Sequence, residues 1–346
     1  MPVALAAPDK FRGSLRADEA AGAMARGLRS AGFDEVRILA LADGGEGTLD
    51  VLVAARGGAR RRVRVTGPLG DPVDAEYGIL PDGTAVVEAA RASGLALVAG
   101  RNDPLRASSR GTGELVAAAL RGGARSVIVG LGGSACTDGG LAALEALGWT
   151  LRGSVVTVAC DVDVSFTETA TRFSPQKGAT PAQVELLRRR LERLAQEYLR
   201  RTGVDVLTLE GAGAAGGLAG GLAVAGARLA PGFEVIAHAA GLEEAMEGVD
   251  LVVTGEGRLD DTTFLGKTVS GVLEWAADVG IPHRAVIAGQ VTSEGRDEAV
   301  VLGASPVLAL VDRVWQAGEA FARAEVLVEE AALEVGRRIL GSTGGA

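Results

Sequence analysis

Five glycine-rich loops contain most of the residues in this sequence whose chemistry suits phosphate binding. They lie at 7–14, 43–48, 132–140, 211–217 and 254–260, and four of the five carry carboxylates. Glycine allows the backbone to turn tightly and to approach a ligand closely, and backbone amides at a helix start bind anions. Carboxylate oxygens are protein ligands that suit Mg²⁺. The combination predicts a site for phosphate groups and a divalent cation.

Lysine is used sparingly, and each lysine lies in a loop marked by glycine or proline. Of the 35 lysine and arginine residues only three are lysines, namely Lys10, Lys177 and Lys267. A lysine offers a phosphate a compact ammonium charge, whereas arginine offers a planar fork. Lysine at these three positions therefore indicates phosphate contacts. The alternative is that each is an ordinary exposed loop residue.

Two shorter motifs suggest other nucleotide sites, and each is incomplete. The run 211–216 has the glycine pattern of dinucleotide-binding proteins and follows an apolar run at 204–209. The acidic residue expected about twenty positions later has no convincing counterpart, because Glu234 begins a helix. The segment 266–268 resembles the end of a P-loop, but Asp261 stands where that motif requires its first glycine. An NAD-dependent oxidoreductase remains the second enzyme hypothesis.

Composition narrows the class of protein. The 346 residues are enough for two domains, and the formal net charge of −9 disfavours nucleic acid and anionic membranes as partners. No segment has the pattern of a secretion signal or a membrane span, and two cysteines do not make a disulfide framework. We expect a cytoplasmic protein with a small-molecule substrate, and a homodimer is compatible with these features.

The elements that position the loops alternate between strands and helices at both ends of the sequence. Amphipathic helices separate apolar strands at 3–7, 36–42, 251–254, 284–288 and 306–311, which is typical of a parallel sheet with helices on both faces. Strands at 62–66, 73–80 and 85–89 indicate an antiparallel meander instead. The sequence predicts an α/β fold in which a parallel domain, residues 1–62 and 238–346, is interrupted by an inserted mixed-sheet domain, residues 63–237.

At these loops the sequence closely resembles the type I glycerate kinase family, the bacterial glycerate 2-kinases. The matching segments run in order along nearly the whole chain: 7–14, 42–48, 111–114, 132–140, 160–162, 175–179, 211–217, 254–260 and 266–268. The resemblance implies ATP-dependent phosphorylation of D-glycerate to 2-phosphoglycerate. It also implies a flavodoxin-like parallel-sheet domain interrupted by a second mixed α/β domain, with the active site in the inter-domain cleft. The chain departs from the family in a short link from Trp149 to Cys160 and in the loop 164–169.

Roles for individual residues follow from that reaction. Phosphoryl transfer depends on positioning and on neutralising charge. Candidate bases at the substrate hydroxyl are Asp9, Glu256 and Asp260, of which Asp260 is preferred. Lys10 or Lys267 is expected on the transferring phosphate. The remaining assignments are Asp43, Glu46 and Asp138 for Mg²⁺; Arg258, Ser134 and Lys177 for the substrate; and Lys267, Thr268, Gly44, Gly45, Gly133, Gly213 and Gly216 for the nucleotide phosphates.

Two alternatives stay open at this point. Each carboxylate could instead be a helix N-cap or a turn residue, since both are common uses of aspartate in loops. The chain could also be a non-catalytic module that senses a nucleotide or a sugar acid, because the departures from the family fall in the middle domain. Measuring the binding of ATP, NADH and glycerate would separate a kinase from an NAD-dependent oxidoreductase and from a non-catalytic sensor.

Overall fold

The computed structural model describes residues 2–151, 153–160 and 164–343, and these residues form two compact units. The first unit comprises Met1–Asp43 and Ile236–Ala346, and the second comprises Gly44–Val235. The motif residues Asp161 and Val162 lie outside the described residues, as does Arg152 in the short link before Cys160. Each unit has its own sheet.

The regular elements are numbered in chain order. The strands are β1 Val3–Ala6, β2 Glu35–Ile38, β3 Ala59–Thr66, β4 Pro72–Ile79, β5 Thr84–Glu88, β6 Ser126–Gly130, β7 Val155–Cys160, β8 Arg228–Pro231, β9 Leu251–Leu259, β10 His283–Val291 and β11 Ala304–Ala309. The α-helices are α1 Ala17–Ala31, α2 Thr48–Arg56, α3 Ala90–Ser93, α4 Arg110–Arg121, α5 Leu141–Ala146, α6 Glu168–Phe173, α7 Pro181–Thr202, α8 Ala214–Val224, α9 Gly232–Ala240, α10 Leu242–Met246, α11 Thr268–Asp278, α12 Ser293–Val301, α13 Ala317–Ala322 and α14 Ala324–Thr343.

The first unit has a five-stranded parallel sheet in the order β2-β1-β9-β10-β11. Helices α1 and α14 cover one face and share a core with Ala4, Ala6 and Val253. Helices α11 and α12 pack on the other face against Val286 and Ala288. This is the doubly wound, flavodoxin-like order, in which ligands bind outside the carboxyl ends of the strands. The predicted parallel-sheet fold is confirmed.

The second unit has a six-stranded mixed sheet in the order β3-β4-β5-β6-β7-β8. Strands β3, β4 and β5 form the predicted antiparallel meander, and β5 through β8 run parallel. Its core includes Val127, Val129 and Val158, with Phe166 and Tyr198 packed beside them. The expected second mixed α/β fold is confirmed.

The first boundary between the units lies earlier in the chain than the sequence placed it. Residues up to 62 were assigned to the parallel domain, but the structure divides the chain between Asp43 and Gly44. Helix α2 explains the difference, because it packs on β4 and β5 of the second unit. Its Leu49 side chain lies so close to Gly78 that a Cβ there would come within 2.5 Å of Leu49 Cδ1. The return to the first unit, at Ile236, differs from the expected 238 by two residues.

Among the described residues, the structure contains no helix with both the length and the apolar character needed to cross a membrane. Neither Cys136 nor Cys160, both of them described, forms a disulfide.

Candidate active site

A cavity of about 390 Å³ opens in the first unit at the carboxyl ends of the parallel strands. The loop that follows β1 and the end of β9 with the loop after it supply most of its polar lining, and the end of β10 and residues after β11 complete the wall. The structure brings together here seven of the residues assigned from sequence: Asp9, Lys10, Asp43, Glu256, Arg258, Asp260 and Lys267. A parallel sheet explains the convergence, since its strands end at one edge.

Asp9 lies in the loop after β1, where three hydrogen bonds hold its backbone and its carboxylate. Its backbone N–H donates to Gly255 O at 2.9 Å. Its carboxylate accepts hydrogen bonds from the backbone N–H of Lys10 at 2.6 Å and from Thr268 Oγ1 at 3.1 Å. Burial raises the pKa of Asp9 to about 6, against the lowering effect of the Lys10 charge and with a further rise from Asp43. The group therefore titrates close to neutral pH.

Glu256 lies on β9, and burial is also the largest cause of its pKa shift. Burial raises the pKa of Glu256 to about 7, although Thr263 Oγ1 donates a hydrogen bond to its Oε1 at 2.5 Å. The negative charge of Asp9 raises this pKa further. A carboxyl group with a pKa near the working pH is well matched to proton transfer. Glu256 therefore has the strongest base character among the carboxylates of this cavity.

Asp260 has a different environment from the one expected of the preferred base. It caps the short 3₁₀ helix Asp261–Phe264, and its Oδ1 accepts from Thr262 N at 3.0 Å and from Thr262 Oγ1 at 2.7 Å. Arg258 Nε lies 3.1 Å from its Oδ2. Burial favours the neutral form, but the hydrogen bonds from Thr262 and the nearby cations outweigh it, so the pKa of Asp260 is lowered. Asp260 is better suited to positioning Arg258 and the loop.

The two lysines of the cavity are placed by different loops. Lys10 follows Asp9 directly, and its Nζ lies 3.8 Å from Asp9 Oδ1. Lys267 precedes helix α11, and its Nζ donates to Thr262 Oγ1 at 2.9 Å. Both are only partly buried, so their ammonium groups can reach an anion in the cavity. Thr268, expected on the phosphates, is buried and bonded to Asp9 instead.

Close packing of backbone on backbone fixes the loop after β1 against β9. A Cβ atom on Gly257 would come within 2.8 Å of Arg12 N. No side chain fits there without moving the loop that carries Asp9 and Lys10. The glycine pattern at 254–260 thus positions the cavity wall, in addition to any contact with a ligand.

Three assigned residues of the second unit, Ser134, Asp138 and Lys177, lie in hydrogen-bonded surroundings; Ser134 and Lys177 are buried and Asp138 is half-buried. Lys177 is 4% exposed, and its Nζ donates to Cys136 O at 2.5 Å and to Ser134 Oγ at 3.1 Å. Burial lowers the pKa of Lys177. Asp138 accepts from Ser109 N and Ser109 Oγ, both at 2.8 Å, and from Gly140 N at 3.1 Å. These bonds hold the 132–140 loop together.

The other assigned residues of the second unit are five glycines and the exposed Glu46. The clearest packing role is that of Gly216, which has a φ of +72° and where a Cβ would come within 2.1 Å of Cys136 O. Gly213 is equally constrained by Ser165 O at 2.3 Å. The glycines of this unit that were assigned to phosphates are Gly44, Gly45, Gly133, Gly213 and Gly216.

The structure does not support dinucleotide binding by the glycine run 211–216. Residues 204–209 form turns rather than a strand, and α8 begins with non-helical backbone at Ala215, Gly216 and Gly217. The dinucleotide fingerprint requires a strand that leads into a regular helix. The glycine run at 211–216 is therefore not such a motif.

Sequence reasoning missed several residues that shape the cavity and its loops. Thr263 holds Glu256, Gln290 and Phe321 line the cavity, and Glu88 accepts from Gly47 N and Leu49 N at the start of α2. Gln290 follows the strand expected at 284–288, and a polar residue at the carboxyl end of a parallel strand is the signal that could have placed it in the site. Nothing in the local sequence marks Phe321 or Thr263.

A preformed metal cage is not part of the described structure: no three of its His, Cys, Asp and Glu side chains are grouped so that they could hold an ion. Mg²⁺ in phosphate-transfer enzymes usually binds one or two carboxylates together with phosphate oxygens and waters. Asp9 and Asp43 line the same cavity and interact electrostatically, so they fit that smaller requirement.

The first unit brings lysines and carboxyl groups together at the carboxyl edge of a parallel sheet, an arrangement that suits the binding of phosphate groups. Comparison with known proteins gives the class: the sequence profile of the Glycerate kinase family matches residues 4–155 and 149–340. The chain belongs to the glycerate kinase family and is a kinase.

Individual relatives agree with this membership. The chain is 38% identical to the glycerate kinase of Halalkalibacterium halodurans, over 95% of this chain and 96% of that protein. It is 40% identical to the glycerate 2-kinase of Escherichia coli K12, over 83% and 85% of the two chains. A crystal structure from Salmonella typhimurium LT2, provisionally named glycerate kinase 2, superposes with a TM-score of 0.83 at 35% identity and covers 99% of both chains.

Proposed function

We propose that this chain is a cytoplasmic glycerate 2-kinase, which transfers the γ-phosphoryl group of ATP to the 2-hydroxyl of D-glycerate and releases ADP and 2-phosphoglycerate. The observation that carries the proposal is the cavity of the first unit. It combines two ammonium groups, Lys10 and Lys267, with two carboxyl groups of raised pKa, Asp9 and Glu256. The names of the relatives support glycerate as the acceptor.

Charge neutralisation is the first task of the site. The phosphoryl group carries negative charge on its three peripheral oxygens through the transfer. Lys10, after β1, and Lys267, before α11, both line the cavity. Their ammonium groups contact these oxygens and the bridging oxygen of the leaving ADP. Mg²⁺, held by Asp43 and Asp9, would add further positive charge to the phosphates.

Removal of the hydroxyl proton is the second task. Glu256 takes this role, and its Oε2 receives the proton because Oε1 already accepts from Thr263. A pKa of about 7 leaves a large ionised fraction at neutral pH and still gives a base strong enough to hold the proton. This assignment replaces the preference for Asp260, whose carboxylate caps a helix and pairs with Arg258.

Orientation of the acceptor is the third task. Arg258 is exposed, extends from the end of β9 and lines the cavity. Its guanidinium has five donors in a plane and can bind the glycerate carboxylate through two of them while Asp260 holds Nε. A carboxylate fixed at C1 leaves the neighbouring 2-hydroxyl nearest to Glu256, which favours the 2-phosphate over the 3-phosphate.

The test is a coupled ADP-release assay across D-glycerate, L-glycerate, hydroxypyruvate and simple 2-hydroxy acids, with ³¹P NMR of the product. We expect ADP release with D-glycerate and a phosphorus resonance split by the single proton on C2. A resonance split by the two protons on C3 would contradict the 2-kinase assignment. Binding of glycerate and ATP without ADP release would support the sensor hypothesis instead.

A further inference from the structure

The cavity of the first unit has two chemically different ends. The lysines and carboxylates described above form one end, after β1 and β9. Leu310, Val311, Ala320, Phe321 and Ala324 form the other, after β11. Glycerate and phosphates are small and strongly polar, so neither gains from an apolar wall. The apolar end is therefore built for a different part of a ligand.

Phe321 indicates which part of a ligand the apolar end of the cavity would bind. It lies on α13, lines the cavity and is 52% exposed, whereas Leu310 and Ala320 beside it in the lining are buried. Two alanines, Ala320 and Ala324, stand where longer side chains would fill the space. An exposed aromatic ring beside small residues offers a flat apolar surface, and flat heteroaromatic bases stack on such surfaces.

Phe321 also lies close to the loop that follows β1. A Cβ atom on Gly13 would come within 3.6 Å of Phe321 Cε1. A nucleotide base stacked on Phe321 would therefore leave the phosphates of the same nucleotide near this loop, which carries Lys10.

Gln290 supplies a polar group between the two ends. It lies at the end of β10, opposite Arg258 of β9 in the strand register, and lines the cavity. Its side-chain amide makes no hydrogen bond within the part of the chain that the structure describes. A glutamine amide both donates and accepts, which matches the amino group and ring nitrogen on one edge of adenine.

We propose that Phe321 stacks on the adenine of ATP and that Gln290 reads its edge, so that the apolar end of the cavity is the base-binding subsite of this kinase. The inference rests on the proposed function for the placement of the phosphates. It adds residues that set nucleotide specificity.

Calorimetry with three probes tests the stacking independently of turnover. The probes are ATP, adenosine and inorganic tripolyphosphate, measured on the full-length protein, on Phe321→Ala and on Val326→Ala. Val326 is an apolar residue of α14 with similar exposure, 51%, and does not line the cavity, so it is the matched control. Phe321→Ala should weaken adenosine and ATP binding about tenfold or more and leave tripolyphosphate binding unchanged.

Substitution of Gln290 tests the reading of the base edge. Gln290→Leu should reduce the preference for ATP over GTP about tenfold. Gln290→Arg should shift the preference towards GTP, because an arginine fork matches the two acceptors on the corresponding edge of guanine. Thermal unfolding of each variant checks that the fold is retained, as expected for side chains that are exposed or half-buried.

The outcomes separate this inference from the proposed function. Loss of adenosine binding in Phe321→Ala supports the subsite even if no acid substrate is turned over. Unchanged adenosine and ATP binding in Phe321→Ala, with kinase activity intact, overturns the subsite and leaves the proposed function standing. A Phe321→Ala effect on the KM of glycerate alone also overturns it, because the acceptor would then occupy the apolar end.

Discussion

Asp9 is buried and Asp138 is half-buried, and both occur in glycine-rich loops, yet their surroundings in the two units differ. Three donors surround the carboxylate of Asp138, and the bonds hold its own loop. Asp9 accepts two hydrogen bonds and lines an open cavity together with other titratable groups. Burial raises the pKa of both side chains. The pKa shift alone therefore does not mark the candidate site. Both residues line a cavity, but only the cavity beside Asp9 also contains Lys10, Lys267 and a second carboxyl group of raised pKa, Glu256.

The lysines show the same contrast. Lys177 of the second unit is buried and bonded to Ser134 and Cys136 O, and burial lowers its pKa. Lys10 of the first unit is partly exposed beside Asp9. The same loop signal thus accompanies a structural residue in one unit and a residue of the candidate site in the other. The following variants test this division, in order of decreasing expected effect.

Glu256→Gln should have the largest effect on activity. A positioned general base typically contributes about 10²–10⁴-fold, and we expect kcat/KM for D-glycerate to fall by about 10³-fold. In the unsubstituted protein kcat/KM should rise with pH through about 7, because the base acts in its ionised form and the pKa of Glu256 is about 7. Glu256→Gln should lack this rise. A retained rise would transfer the role to Asp9, with its pKa of about 6.

Lys10→Ala should lower kcat by about 10²-fold, because direct electrostatic stabilisation of the transferring group is usually worth that much. The unfolding midpoint in urea should change little, since the side chain is partly exposed and ion pairs near the surface contribute little to stability. Lys10→Arg, which keeps the charge but changes its shape, is the matched variant and should recover part of the loss. A change in stability with unchanged kcat would instead indicate that Lys10 has a structural role, as Lys177 does.

Asp138→Asn should act on stability rather than on chemistry. The amide NH₂ must replace one carboxylate oxygen and would face a backbone N–H of Ser109 or Gly140. We expect the free energy of unfolding to fall by about 1–3 kcal/mol, measured by urea denaturation. The kcat of the folded protein should change far less than in Lys10→Ala. Loss of activity with unchanged stability would favour the Mg²⁺ role that the sequence suggested for Asp138.

Asp260→Asn should have the smallest effect. Asparagine caps helices as well as aspartate does, and its Oδ1 can still accept from Thr262. The lost ion pair with the exposed Arg258 is worth less than about 1 kcal/mol in stability. We expect kcat/KM to fall by less than the 10²-fold or so that removal of a base costs. A larger fall, with the pH profile changed, would restore Asp260 as the base.

Local pattern predicted many of the strands because each is an apolar run bounded by turn residues. The strands expected at 73–80 and 85–89 are β4, Pro72–Ile79, and β5, Thr84–Glu88, each shifted by one residue. Strand β8, Arg228–Pro231, was not predicted, because an edge strand with an arginine and a proline has no such run. The boundary after residue 43 could not be predicted either. The sequence of helix α2 is compatible with packing on either sheet, and only the folded chain shows that it packs against Gly78.

The candidate site was predictable in its membership and not in its details. Asp9 and Glu256 follow from the positions of their loops at the ends of parallel strands. The environment of Asp260 depends on Thr262 and Arg258, and the raised pKa of Glu256 depends on burial, which only the folded chain determines. Phe321 lies on α13 and lines the cavity beside Gly13, a contact between distant parts of the sequence that local pattern does not encode.

The order of the strands also constrains how the polypeptide is made. Strand β1 lies between β2 and β9, and β9 begins only at Leu251, after the whole second unit. At ribosomal rates of 5–20 residues per second, the first 43 residues wait roughly 10–40 s for the strand that completes their sheet. The second unit is continuous and can fold during that interval. The newly made β1 and α1, both rich in apolar residues, are the segments that a ribosome-bound chaperone would be expected to shield.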